Sequence, residues 1–168
     1  LYFADRKGRI VTEMTALRLA EDEIMLVTAA PAEWHDLDWL NKHLPEGNSL
    51  SLENVTEEYS CLVLAGPDSR NLLSEVTDGD LDKAWLTHQE ATIAGRSVRL
   101  VRVSYVGELG WEIHGKIEDM AAVFEALWKA GGAHALKPFG MYAMDSMRLE
   151  KGYRAWKSDL TLDYNLLE

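Results

Sequence analysis

Apolar positions alternate with polar ones over much of the chain and change to helical spacing in four places. Leu1-Tyr2-Phe3 is strand-like from the first residue. Asp5-Arg6-Lys7-Gly8 then turns the chain into a strand expected from Arg9 to about Ala20. Side chains alternate along a strand with period two, so Val11, Leu17 and Leu19 share a face with Glu13. Ile10 and Met14 make the other face apolar too, and the sidedness is weak. A carboxylate in that setting is either an edge residue in water or a residue with a task, and the pattern leaves both open.

Glu21-Asp22-Glu23 is a turn, and Ile24 to Thr28 a short apolar strand. Pro31 suits a helix start, and Trp34, Leu37, Leu40 and Leu44 follow at helical spacing until Pro45-Glu46-Gly47-Asn48. Such a stripe reads as core and leaves Trp34 and Trp39 without a functional role. Leu50 and Leu52 alternate with serines, which suggests a strand, and Tyr59 to Ala65 reads as a buried one. Gly66-Pro67-Asp68-Ser69-Arg70 opens a helix carrying Leu72, Leu73 and Val76. With no Gly-x-Gly-x-x-Gly and no Walker lysine, that start is structural rather than phosphate-binding. The run from Thr87 to Tyr105 is a hairpin turning at Ala94-Gly95-Arg96.

The stretch from Val103 to His114 ends a strand, rounds a glycine-bearing corner from Gly107 to Gly110 and returns as a short strand. Tyr105 and Glu112 bracket the corner. A stacking ring beside a carboxylate that accepts two hydrogen bonds suits a flat heterocycle with adjacent N–H donors. An ordinary hairpin with a surface Tyr and Glu fits the same spacing. An amphipathic helix follows through Ile117, Met120, Phe124, Leu127 and Trp128, closed by Gly131-Gly132. The last helix runs from Met141 to Lys151 with Gly152 as its cap, and it carries Asp145 and Arg148 one turn apart. Intermixed strands and helices, several hairpins and no βαβ repetition predict an α+β fold of mostly antiparallel sheet.

The 168 residues suffice for one domain or slightly more. Seventeen basic against 28 acidic residues give a net charge of −11, which repels phosphate backbones and anionic lipid and argues against nucleic acid and membrane partners. A small anion would need local arginines such as Arg102, Arg148 or Arg154. The lone Cys61 excludes an internal disulfide and, within its apolar run, reads as a buried core thiol. No apolar run approaches ~18 residues and no cleavable signal opens the chain, so the expected location is cytoplasmic. Neither end has a polar lead-in or capped tail, as expected of a fragment.

His35, His43, His88, His114 and His134 lack metal-ligand spacing, and no metal is expected. No Gly-x-Ser-x-Gly elbow or Cys–His pair marks a nucleophile. What remains is a set of carboxylates, a tyrosine, arginines and aromatics. That set suits holding a planar cofactor and supplying a carboxylate for proton handling.

Tyr105-Val-Gly-Glu-Leu-Gly-Trp-Glu112 resembles the Tyr-Thr-Gly-Glu-x-Gly-Phe-Glu signature of the tetrahydrofolate-binding aminomethyltransferases. Asp145-Ser-Met-Arg148-Leu-Glu-Lys-Gly152 resembles their Asp-Ser-Leu-Arg-Leu-Glu-x-Gly signature, in the same order. That family includes the glycine-cleavage T-protein and the folate domains of dimethylglycine and sarcosine dehydrogenases, and Arg148 to Trp156 looks most like the dehydrogenase branch. The likeness covers nearly the whole chain. It implies one incomplete tetrahydrofolate-binding domain over residues 1–168 that takes a one-carbon unit from a methylated amine to form methylene-tetrahydrofolate. FAD would belong to a partner amine-oxidising domain absent from this chain.

By the same resemblance Glu112 accepts the pterin's N–H and amino groups, Tyr105 lines the pocket, Arg148 is a folate-site arginine and Trp156 an aromatic wall. An Arg148 salt bridge with Asp145 or Glu150 is the competing account of that residue. Glu13 falls where the family's Gly-Gly-x-x-x-Asp segment has its catalytic Asp, in Gly8-Arg-Ile-Val-Thr-Glu13, one methylene longer. Alternatives are a non-catalytic folate-binding module, a glycine-cleavage aminomethyltransferase, or a paralogue with another one-carbon donor. The iron–sulfur-maintenance relatives have a cysteine before the tyrosine, where this chain has Ser104.

Overall fold

The computed structural model describes residues 1–47 and 50–167. The chain divides into two compact units, Leu1–Asn54 with Arg154–Glu168, and Val55–Tyr153. In the first, β1 (Tyr2–Ala4) pairs antiparallel with β2 (Ile10–Glu13), and β3 (Thr15–Arg18) with β4 (Ile24–Val27). The Asp5 carboxylate closes the first turn by accepting the backbone N–H groups of Lys7 and Arg9 at 2.8 and 3.0 Å.

The single strand expected from Arg9 to Ala20 is therefore two strands that part at Met14. Burial explains the break. Ile10, Thr12 and Met14 are buried at even positions, after which Leu17 is buried at an odd one. One pleated strand cannot bury both parities on one side, so the chain breaks where the parity changes. A second departure lies in α1 (Glu33–His43), where Trp34 is 73% exposed and Asp36 is buried instead. Asp36 accepts from the Thr28 hydroxyl and sits 2.8 Å from His35 Nδ1, which satisfies the buried carboxylate. Residues 50–54 carry no strand, since no partner strand pairs with the Leu50/Leu52 alternation. Asn48, in the expected helix stop, lies outside the described residues.

The second unit is a four-stranded antiparallel sheet in the order β5 (Tyr59–Ala65), β8 (Gly110–Lys116), β7 (Arg96–Val101), β6 (His88–Ile93). β6 and β7 join through Ala94 and Gly95 with φ of 52° and 73°, the paired left-handed conformations of a two-residue hairpin turn. One face of the sheet is covered by α2 (Ser69–Ser74) and α3 (Met120–Gly131). There Leu64, Leu100, Trp111 and Ile113 pack against Leu72, Leu73, Val123 and Leu127. Full burial of each such side chain stabilises by roughly 1.5–3 kcal/mol.

The other face carries Cys61, Val63, Glu112 and His114, and Val63 is 43% exposed. Cys61 is accordingly exposed rather than a core thiol. The apolar run around it hides the alternation, in which Leu62 and Leu64 take the helix-covered side. The last helix is α4 (Met141–Glu150), followed by Gly152 at φ 72°. The antiparallel α+β expectation holds.

Candidate functional site

Trp111 and Ile113 point into the core, so the pleat sends Glu112 and His114 to the opposite face, where Glu112 is half-buried and His114 only 5% exposed. Glu112 lies opposite Val63 on β5 and Val101 on β7, and His114 opposite Cys61 and Arg99. Since β7 ends at Val101, the loop of residues 102–109 departs beside Glu112 and returns at Gly110. Gly107 makes the corner at φ 73°. A Cβ there would stand 2.0 Å from Lys151 Cγ, so both conformation and packing call for glycine.

Tyr105 sits half-buried in this loop and stacks on Tyr153, centroids 6.2 Å apart with planes 17° from parallel. Arg148 holds Tyr153 in place: its Nη1 donates to the Tyr153 carbonyl at 3.0 Å, and the Tyr153 N–H donates back to the Arg148 carbonyl at 2.9 Å. Arg148 is only 4% exposed and bonds Asp145 Oδ1 through Nε and Nη2 at 2.8 and 2.7 Å. The guanidinium thus faces inward, in the salt bridge that competes with a folate contact. Beside the loop lies a cavity of about 340 Å³ lined by Trp85, Arg102, Ser104, Leu109 and Tyr153. In it Arg102 lies 4.7 Å over the Trp111 ring and donates to the Gly110 carbonyl at 3.0 Å.

Glu13 and Trp156 come together in the other unit. The backbone N–H of Trp156 reaches the Glu13 carboxylate, and its indole Nε1 donates to the Val11 carbonyl at 2.8 Å. Burial holds the Glu13 pKa above the ordinary carboxylate value, against a smaller opposing pull from the Trp156 hydrogen bond. The Trp156 ring packs on His35 at 5.1 Å, with Lys157 Nζ 4.6 Å from its centroid. A cavity of about 280 Å³ in this unit, between Tyr2, Ile10 and Leu160, is lined by neither Glu13 nor Trp156. Tyr105, Glu112 and Arg148 thus belong to one unit, and Glu13 and Trp156 to the other.

The profile of the GCVT N-terminal domain matches residues 1–168. The chain belongs to the GCVT N-terminal domain family. Within and around that family, it is 36% identical over 166 residues to mitochondrial dimethylglycine dehydrogenase of Homo sapiens, covering 96% of this chain and 19% of the relative. It is 42% identical over 120 residues to mitochondrial sarcosine dehydrogenase of Mus musculus, covering 70% and 13%. An aminomethyltransferase of Thermus thermophilus is 37% identical over 164 residues, covering 97% and 46%. The chain therefore spans under a fifth of the two dehydrogenases and less than half of the aminomethyltransferase. Among solved structures, the heterotetrameric sarcosine oxidase from Corynebacterium sp. U-96, in complex with pyrrole 2-carboxylate, superposes with a TM-score of 0.58 at 20% identity. That match covers 77% of this chain and 65% of the other. It shares the fold.

Two features of this family member escape a reading of its sequence. Tyr153, in the tail after α4, is the ring that Tyr105 meets, and no local pattern announces a partner 48 residues away. The second is the group on the uncovered face: His114 Nε2 lies 3.0 Å from Glu112 Oε2 and 3.7 Å from Cys61 Sγ. Glu112 and His114 two apart on one strand is a legible signal, but Cys61 joins only through the β5–β8 register. Although Cys61 is exposed as a residue, its sulfur is largely desolvated by neighbouring side chains, and this, followed by the Glu112 charge, pushes the thiol up to about 12.

Proposed function

We propose that the chain is the tetrahydrofolate-binding domain of a one-carbon transferring enzyme of the dimethylglycine/sarcosine dehydrogenase type. The observation that carries this reading is Glu112, a half-buried carboxylate on the sheet face left open by the helices, beside a loop whose Tyr105 belongs to a stacked pair. A pterin needs a carboxylate acceptor for adjacent N–H donors and a flat apolar wall, and these residues fit both requirements. The hydrogen bond that Glu112 accepts from His114 leaves acceptor capacity on the carboxylate, which has about four lone-pair sites.

The chemistry that the folate supplies when bound is capture of a one-carbon unit, giving methylene-tetrahydrofolate. Glu112 anchors and orients the pterin edge. Tyr105 walls it, and Arg148 acts one step removed by fixing Tyr153 behind Tyr105. Glu13 is the proton acceptor: burial raises its pKa and so makes it a stronger base than an exposed glutamate. Trp156 fixes the orientation of Glu13. The methylated amine is oxidised by an FAD-bearing domain of the same enzyme, as the dehydrogenase names of the relatives support.

Tryptophan-fluorescence titration with tetrahydrofolate tests the assignment. Replacing Glu112 by Ala should weaken binding by roughly 1.5–3 kcal/mol, the scale of hydrogen bonds to a charged group. An unchanged affinity in a folded Glu112→Ala protein refutes the pterin site. The glycine-cleavage alternative, supported by the Thermus thermophilus aminomethyltransferase match, is separated by turnover of dimethylglycine or sarcosine against an aminomethylated carrier.

A further inference from the structure

We infer that Cys61, Glu112 and His114 form a three-ligand site for a divalent, thiophilic cation of the zinc class, with a fourth position for water reached from the side of Cys61. The three ligand atoms all lie within 4.8 Å of one another, on two adjacent strands of one sheet. Zinc bonds of about 2.3 Å to sulfur and about 2.0–2.2 Å to nitrogen and oxygen, at tetrahedral angles, require S···N and N···O edges of about 3.6 and 3.4 Å. The observed S···N and N···O separations are 3.7 and 3.0 Å. The protein thus already holds two of the three ligand–ligand edges to within about 0.4 Å, and the third, between Cys61 and Glu112, to within 4.8 Å.

Ligand type and charge agree with the geometry. A thiolate and a carboxylate together balance a divalent ion, and a mixed S, N and O set suits zinc better than a hard cation such as calcium or magnesium. Ligand atoms fixed by strand backbone are held by the sheet ladder and require no folding of a loop. The cations beside the site on this face are engaged elsewhere: Arg99, across from His114, by Glu90 in an ion pair and by His88 at 3.2 Å, and Lys116 by Glu58 at 2.7 Å. The exposure of Cys61 provides the approach from solvent. Binding breaks the Cys61 S–H bond, forms the sulfur–metal bond and releases the proton to water. It also replaces the Glu112–His114 hydrogen bond with two bonds to the ion, the imidazole giving up its Nε2 proton and taking one from water at Nδ1, so that it ligates as the neutral Nδ1–H tautomer.

The inference rests on the folate reading only for its consequence. Glu112 cannot serve a pterin and a cation at once, so zinc would act as a competitor of folate. Neither of the two motifs that carry the family resemblance contains Cys61 or His114, so this is a property of this chain's own residues.

Cobalt(II), titrated into the metal-free chain, is the probe. The expected result is a saturable thiolate-to-cobalt charge-transfer band in the near ultraviolet, with visible absorption of tetrahedral intensity, both erased by added zinc. Loss of even an outer-shell partner costs about 10–100-fold in metal affinity, so Cys61→Ser should abolish the charge-transfer band and Glu112→Gln should weaken binding by at least about tenfold. Circular dichroism and a urea midpoint establish that each variant is folded. No charge-transfer band in the unsubstituted chain, or a band that survives in folded Cys61→Ser, overturns the site. Tetrahydrofolate titrations with and without zinc then separate the two readings. Folate binding that zinc weakens supports both. Folate binding indifferent to saturating zinc overturns the competition. Absence of folate binding refutes the proposed function, while the cobalt result stands by itself.

Discussion

Glu112 Oε2 and His114 Nε2 stand 3.0 Å apart on the sheet face away from α2 and α3, two residues apart on one strand. The strand's other face is buried by Trp111 and Ile113, so this carboxylate–imidazole pair is held by backbone that cannot shift without disrupting the core. A pterin anchor placed on such a strand is preorganised, because the pleat has already set the direction of the side chain.

The Tyr105–Tyr153 stack should make a measurable contribution to both stability and binding. Tyr105→Ala removes an aromatic pair worth about 0.5–1.5 kcal/mol beyond simple burial. Urea unfolding should show a loss of that size, and tetrahydrofolate affinity should fall with it. Tyr105→Phe keeps the ring and should stay close to the unsubstituted protein in stability. Equal stability for the Ala and Phe variants would remove the stack from the account.

Arg148 should act through the fold and not through direct contact with folate. Arg148→Lys keeps the charge but loses the fork that bonds Asp145 through Nε and Nη2 while Nη1 holds the Tyr153 carbonyl. Stability and folate affinity should fall together, by about 1–3 kcal/mol in stability for a buried group deprived of its partners. A variant that loses affinity while its urea midpoint stays unchanged would restore Arg148 to the folate contact.

His134 bridges Asp68 and Glu75, between the start and the end of α2, and those two carboxylates raise its pKa above the ordinary 6.5. The same ion pair lowers the pKa of Asp68 below 3.8. The stabilisation from His134 is therefore complete below pH 6.5 and disappears as pH rises through its raised folded value. That from Asp68 is complete above pH 3.8 and is lost as pH falls through its lowered folded value. Thermal midpoints should peak in the mildly acidic range between those values. His134→Gln should flatten the alkaline decline, and an unchanged pH profile in that variant would count against the bridge.

Glu13 should set the acid limb of turnover in the enzyme that carries this domain. A proton acceptor works only when deprotonated, so turnover should drop as pH falls below the raised pKa of Glu13. Glu13→Gln should reduce kcat by about 10²–10⁴-fold and abolish that limb. If the limb persists in Glu13→Gln at nearly full rate, the proton goes elsewhere.

Local signals were legible wherever neighbouring residues decide the structure. Ala94-Gly95 determined a hairpin turn because both positions need left-handed backbone, and Gly107 and Gly152 marked a corner and a helix end for the same reason. The helices α3 and α4, the antiparallel α+β class and the pairing of Glu112 with the Gly107–Gly110 corner were all readable from spacing. The two signature stretches pointed to the family without any coordinates.

Tertiary structure decided what period and spacing leave open. Alternation says that a strand has two faces but not which one the helices will cover, and that choice exposed Cys61 and brought it to His114, 53 residues away. A shift of buried parity at Met14 split one expected strand into two. Trp34 stayed in solvent while Asp36 on the same helix went inside. Arg148 and Asp145 share a helix face in either reading, yet only packing could bury the guanidinium and turn it toward Tyr153. In each case the deciding interaction is between residues far apart in the chain, whose register depends on how the faces pack and not on the residues beside them.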